Sequence, residues 1–176
     1  MKLFNILCAL ALGVIALSPA QAGEIFGGIH LHDVKTPLDK SGLEDGVDIS
    51  LGYRGPTITR LFHGELQPYF FGALNSAEQT HYAAAGISAK FGLGGDWYIR
   101  PGVGIAIHSG SAGKFFRTDR VAFGSRVLAE PELGIGTRIK DRVTLEASWV
   151  HMSHAQVFGG ENPGMDNLGF RLNVAL

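Results

Sequence analysis

Towards its C-terminal end the chain reads Trp149-Val-His-Met-Ser-His-Ala-Gln-Val-Phe-Gly-Gly-Glu-Asn-Pro-Gly-Met-Asp166. Three of these side chains, Ser153, His151 and Asp166, are the types that make a nucleophile, a general base and an acid that orients it. A serine hydroxyl is a weak nucleophile at neutral pH and needs a base within hydrogen-bond reach before it attacks an ester. Residues two apart on a strand are separated by about 6.6 Å along the backbone, a gap an imidazole can lean across. His151 would then take the Ser153 proton while Asp166 holds the imidazole tautomer. Glu161 is the alternative acid, although it sits in the middle of the intervening loop. A His-x-Ser pair is a weak pattern by itself. Polar residues at a membrane rim cost only about 0–1 kcal/mol, so spacing alone leaves a bland rim reading open.

The elements that must carry these residues are strands. Helical periodicity is hard to find, whereas period-two alternation runs through the chain. Ile25, Gly27, Ile29 and Leu31 share one parity, as do Val47, Ile49, Leu51 and Tyr53. Further runs are Leu66 to Ala73, Ala83 to Phe91, Trp97 to Ile107, Val127 to Ile135, Val143 to Trp149 and Leu168 to Leu176. Eight strands predict an all-β fold, an eight-stranded antiparallel transmembrane β-barrel of the outer-membrane type, since small barrels of that type have even strand numbers. Closure also leaves no unpaired backbone in lipid.

The opposite parity carries Ser50, Gly52, Arg100, Gly102, Gly104, Arg126, Glu130, Glu132, Arg138 and Glu146, which would fill the narrow interior and neutralise one another. A soluble ligand-binding barrel is the competing architecture, and it would put the apolar parity inside. With both termini periplasmic, external loops are expected at about 34–45, 76–80, 109–122 and 155–164. Tight turns are expected at Gly92–Asp96 and Lys140–Asp141. Segment 55–64 is longer than such a turn requires. Trp97, Tyr98 and Trp149 suit interfacial aromatic girdles. His151 and Ser153 continue the outward parity of Val143 to Trp149, and Asp166 shares the outward parity of Leu168 to Leu176. All three therefore face lipid at one rim, which limits a substrate to an ester whose acyl chain already lies in the outer leaflet.

Residues 1–22 read as a secretory signal, with Lys2, an apolar core from Leu7 to Leu17 and the small-x-small site Ala20-Gln21-Ala22. The barrel is then residues 23–176. Beyond this leader no uncharged apolar stretch is long enough for a transmembrane helix. The 45% hydrophobic content is too high for disorder. A net charge of −1 argues against a nucleic-acid partner. The single cysteine, Cys8, lies in the leader, so disulfides and cysteine-based metal sites are excluded from the barrel.

Other constellations are weaker. Gly110-Ser-Ala-Gly-Lys114 lacks P-loop spacing. Glu130 and Glu132 read as interior salt-bridge partners rather than a catalytic carboxylate pair. His30 and His32 share a parity but have no third metal ligand at recognisable spacing. Lys114, Arg117 and Arg120 suit contact with phosphate groups, or form a solvated basic loop.

The segment from His151 resembles the PagL-type lipid A 3-O-deacylases, whose signature is His-x-Ser-Asn-Ala near the end of the seventh strand. An Asn-Pro-Gly-like loop and an acidic residue follow it. The matching residues are His151-Met-Ser153-His154-Ala155 and Asn162-Pro163-Gly164-Met165-Asp166. The resemblance continues upstream through Phe123–Gly134 and Gly102–Gly110, about the C-terminal half of residues 23–176. It implies an outer-membrane serine hydrolase that removes an ester-linked acyl chain from lipid A of lipopolysaccharide, with Ser153 as nucleophile, His151 as base and Asp166 as the acidic member. The family usually has glutamate at the last position. His154 and Gln156 stand about where the family's oxyanion-stabilising Asn and Gly lie, and both can donate hydrogen bonds. Such a mechanism needs no metal or organic cofactor. The alternatives are a non-catalytic barrel with a structural or adhesion role, and another lipid acyl hydrolase or acyltransferase. A homodimer is left open.

Overall fold

The computed structural model describes residues 23–37, 42–113, 120–154 and 163–176, so the leader expected over residues 1–22 lies outside it. Among the described residues nine strands follow in order: β1 (Glu24–Leu31), β2 (Val47–Arg54), β3 (Thr59–Leu61), β4 (Gly64–Asn75), β5 (Tyr82–Gly94), β6 (Trp97–His108), β7 (Val127–Lys140), β8 (Val143–Met152) and β9 (Met165–Ala175). Every pairing between these strands is antiparallel, and β1 pairs with both β2 and β9. Closure comes from β2, which also pairs with β4 from Asp48↔Asn75 to Arg54↔Tyr69. Because β3 occupies the same edge of β4 lower down, at Thr59↔Leu66 to Leu61↔Gly64, the wall is eight strands round. All eight expected runs are strands, and the barrel is closed.

Proline explains the long segment 55–64. Pro68 has no N–H to give the ladder, so the β2 edge of β4 loses its pairing there while β5 stays paired on the other side. Four residues, Gly55 to Ile58, bulge opposite two. Gly55 N–H still donates to Pro68 O at 2.7 Å, and Ile58 N–H to Leu66 O at 2.9 Å. At the same end of the barrel, Gly94 and Gly95 adopt φ of +107° and +57°, values that suit glycine and allow the tight β5–β6 turn.

Burial is inside out relative to a soluble barrel. Ile29, Leu51, Ile105 and Phe170 are each more than 60% exposed on the outer face. Arg54, Arg100, Arg171, Glu132 and Glu146 are buried within. Unpaired, each interior charge would cost several kcal/mol; here they interlock. Arg54 Nη1 lies 2.7 Å from Glu24 Oε1, and its Nη2 lies 3.1 Å from Glu132 Oε1. Arg171 holds the other Glu132 oxygen at 2.6 Å. Arg100 joins Glu24 at 2.7 Å to Glu146 at 3.1 Å. Phe26 lies beneath two of the guanidiniums, 4.8 Å from Arg54 and 5.0 Å from Arg171. Glu130 takes the Tyr69 hydroxyl rather than an arginine.

Three expected placements are corrected. Arg138 has interior parity but lies past the rim, exposed and paired with Asp96. Arg126 is exposed at the opposite end, where it donates to the carbonyls of His108 and Gly110. Tyr98 is not in a girdle: it is 3% exposed and donates to Glu146 at 3.0 Å from inside the barrel.

Above the strands, at the long-loop end, His32 forms a clasp. Its Nδ1 bonds Asp48 at 2.9 Å and its Nε2 bonds Glu44 at 3.0 Å. Glu44 also accepts the backbone N–H groups of Thr80 and Val121, both at 3.0 Å, and so ties three loops together. Burial by itself would lower the His32 pKa, but the two carboxylates override it and push the pKa up to about 9. Glu44 is likewise opposed by burial, yet its donors hold it below the usual carboxylate range. His30 is 1% exposed, and its ring nitrogens make no hydrogen bond among the described residues. Among those residues no group of three or more His, Cys, Asp or Glu side chains is arranged to hold a metal ion.

Two outcomes are expected. Arg171→Leu leaves Glu132 Oε2 without its partner and Glu132 with Arg54 alone, and should lower barrel stability by about 3 kcal/mol, measured as a shift in urea unfolding in lipid vesicles. The raised His32 pKa gives a contribution that is complete below about pH 6.5 and falls away as pH rises through about 9. Glu44 contributes fully above its ordinary carboxylate range and loses that contribution as pH falls through its lowered value. Subtilisin should therefore nick the long loops faster at about pH 10 than at about pH 7, and His32→Gln should abolish that difference.

Candidate active site

Strand β8 brings His151 to the long-loop end, and β9 begins with Met165 and Asp166, so that His151 and Asp166 stand directly opposite in the ladder. Nδ1 of His151 is 2.7 Å from Oδ1 of Asp166. An ionised carboxylate only accepts, so Nδ1 carries the proton and Nε2 keeps its lone pair, as a base requires. Asp166 Oδ1 also accepts Trp149 Nε1–H at 2.9 Å, and Oδ2 accepts the Thr36 hydroxyl. The Trp149 and His151 rings stack with centroids 5.8 Å apart and planes 25° from parallel.

Ser153 is the first residue beyond β8, and its backbone is pinned to β7. Ser153 N–H donates to Ala129 O at 3.0 Å, and Ala129 N–H donates back to Ser153 O at 2.7 Å. The structure therefore brings His151 and Asp166 into contact and anchors Ser153 two residues away, half-buried. His154 follows and is buried. Glu161 and Gln156 lie outside the described residues, as do Lys114 and Arg117. Arg120 donates to the Glu78 carbonyl at 3.4 Å.

The expectation that the three polar residues lie open to lipid is corrected in one respect. Parity does put His151 and Asp166 on the outer side of the wall, but His151 is only 8% exposed and Asp166 is fully buried. The segment following β1 docks on Asp166, where Val34 N–H donates to Asp166 O at 2.7 Å and Thr36 reaches its carboxylate, and Trp149 stacks on His151. Sequence reasoning missed both contacts to the carboxylate. Trp149 had a usable signal, since it shares a face with His151 two residues on. Thr36 had none, being 130 positions from Asp166.

Next to this cluster the outer wall is hollowed into an apolar groove of about 610 Å³, lined among others by Leu31, Leu133, Ala147, Trp149, Leu168 and Phe170. Gly169 is among its lining residues. Gly169 allows β9 to approach β1 so closely that a Cβ there would lie 2.0 Å from the Ile29 carbonyl oxygen.

Comparison with known proteins agrees with this architecture. The crystal structure of the outer membrane enzyme PagL matches with a TM-score of 0.62 at 17% identity, over 87% of this chain and 99% of that one. Neisserial surface protein A matches with a TM-score of 0.53 at 10% identity, over 88% of this chain and 97% of that one. A de novo designed transmembrane β-barrel gives 0.54 at 9% identity, over 90% of this chain and 98% of that one. At these identities the likeness is one of fold. No curated protein matches significantly. A family model described as Lipid A 3-O-deacylase (PagL) matches residues 47–175, which span β2 to β9 and all three candidate catalytic residues. The chain belongs to the PagL family.

Proposed function

We propose that this protein is an outer-membrane serine esterase that removes the 3-O-linked acyl chain from lipid A, with its site at the outer leaflet. The observation that carries the reading is the 2.7 Å bond between His151 and Asp166, made on the outer side of the wall beside an apolar groove. A base that orients a serine there meets esters held in a lipid layer rather than esters in solution. Family membership supplies the substrate class. The leader 1–22 would deliver the chain across the inner membrane.

In this mechanism Ser153 Oγ attacks the ester carbonyl while His151 Nε2 takes its proton. Asp166 stabilises the imidazolium that results. The carbonyl oxygen becomes an oxyanion, and His154 and Gln156 are the candidate donors to it. His151 then protonates the departing sugar oxygen, leaving an acyl-serine. Water, deprotonated by His151, releases the fatty acid and restores Ser153. The acyl chain lies in the groove along Ala147, Leu133 and Phe170.

A mass spectrum of lipid A from Gram-negative cells expressing the chain should show loss of one hydroxyacyl mass. Ser153→Ala and His151→Asn should each reduce that loss by about 10⁴-fold while the barrel still assembles. A fully active Ser153→Ala would sink the assignment, and a second acylated product in place of free fatty acid would make the enzyme a transferase. Ala147→Leu should narrow the groove and lower kcat/KM for the longest chains by about tenfold relative to short ones.

A further inference from the structure

Asp166 is held from two directions by groups that no part of the reaction above uses. A carboxylate on a single Cβ rotates broadly about its last torsion, so one hydrogen bond to His151 leaves its plane undefined. Here Oδ1 is shared between His151 Nδ1 and Trp149 Nε1, at 2.7 and 2.9 Å, and Oδ2 takes the Thr36 hydroxyl. The two tethers come from different elements, β8 and the segment after β1. Trp149 also stacks on the imidazole it helps to orient. The carboxylate is fully buried beneath the Thr36 segment, where hydrogen bonds to charge are stronger than in water.

We infer that Thr36 and Trp149 are positioning residues for the base: together they fix the plane of the Asp166 carboxylate and the ring of His151, so that Nε2 is aimed at Ser153. The inference rests on the serine-esterase reading. It makes the segment after β1 part of the catalytic unit, although that segment lies outside residues 47–175 matched by the family model.

Thr36→Val separates positioning from simple docking. It removes the hydroxyl tether and keeps the shape, and the backbone bond from Val34 to Asp166 still docks the segment. The test measures phosphonylation of Ser153 by a fluorophosphonate probe, with fluoride lost, alongside fatty-acid release from lipopolysaccharide in detergent micelles. Folding is scored by heat-modifiable migration on gels. In folded protein, Thr36→Val and Trp149→Phe should each slow labelling and lower kcat by about tenfold, the loss expected for one hydrogen bond to a charged group. KM should stay within about twofold, and Thr36→Ser should restore the rate. Equal labelling of wild type and both variants overturns the inference and leaves the esterase intact. So does a loss that only follows the folded fraction. Failure of wild type to label at Ser153, with the barrel folded, overturns the esterase reading and the inference with it.

Discussion

A chain that crosses a bilayer as a sheet must leave no backbone donor or acceptor facing lipid, and the whole molecule follows from that constraint. β2 meets it by pairing with both β1 and β4, which closes the wall. Closure puts one parity of every strand in a narrow lumen, where side chains are polar and must satisfy one another. Arg54, Arg100 and Arg171 threaded among Glu24, Glu132 and Glu146 are the result. The other parity is left apolar. His151 and Asp166 depart from that rule on the outer wall. The departure is sustained by the covering segment, which supplies Thr36 and the Val34 amide and removes the carboxylate from contact with lipid.

The same stretch of chain has two duties. Towards β2 it carries Glu44, which together with His32 and Asp48 gathers the loops above the lumen. Just after β1 it carries Thr36, which reaches the carboxylate on the outer face. The cap over the barrel and the covering of the site are thus held from one connection between β1 and β2, and the two are anchored by chemically different bonds. One depends on a protonated imidazole between carboxylates, the other on neutral donors to the carboxylate and the backbone carbonyl of a single aspartate.

Much of this architecture was legible because alternation is a one-residue signal: each apolar run named an outward face, and every one of the eight is a strand. Parity also put His151 and Asp166 on the same side of adjacent strands. It does not say how far along the barrel axis a residue lies, so parity alone places Arg138 and Arg126 in the lumen although both sit beyond its rims. Tyr98 shows the signal upheld. Its parity with Arg100 points inward, and the bond to Glu146 outweighs the preference of aromatics for interfaces. Thr36 and the pairings of the interior arginines were out of reach, because they are contacts between distant segments that only the closed barrel brings together.

The groove beside Trp149 lies on the outside of the wall rather than in the lumen. Whatever occupies it arrives and leaves by sliding sideways within the membrane plane, without crossing water or entering the barrel. For a bilayer-bound ester the relevant quantity is then its mole fraction among neighbouring lipids, not its bulk concentration, and turnover becomes a two-dimensional encounter problem. A membrane packed tightly enough to slow lateral exchange would throttle such an enzyme without touching any of its residues.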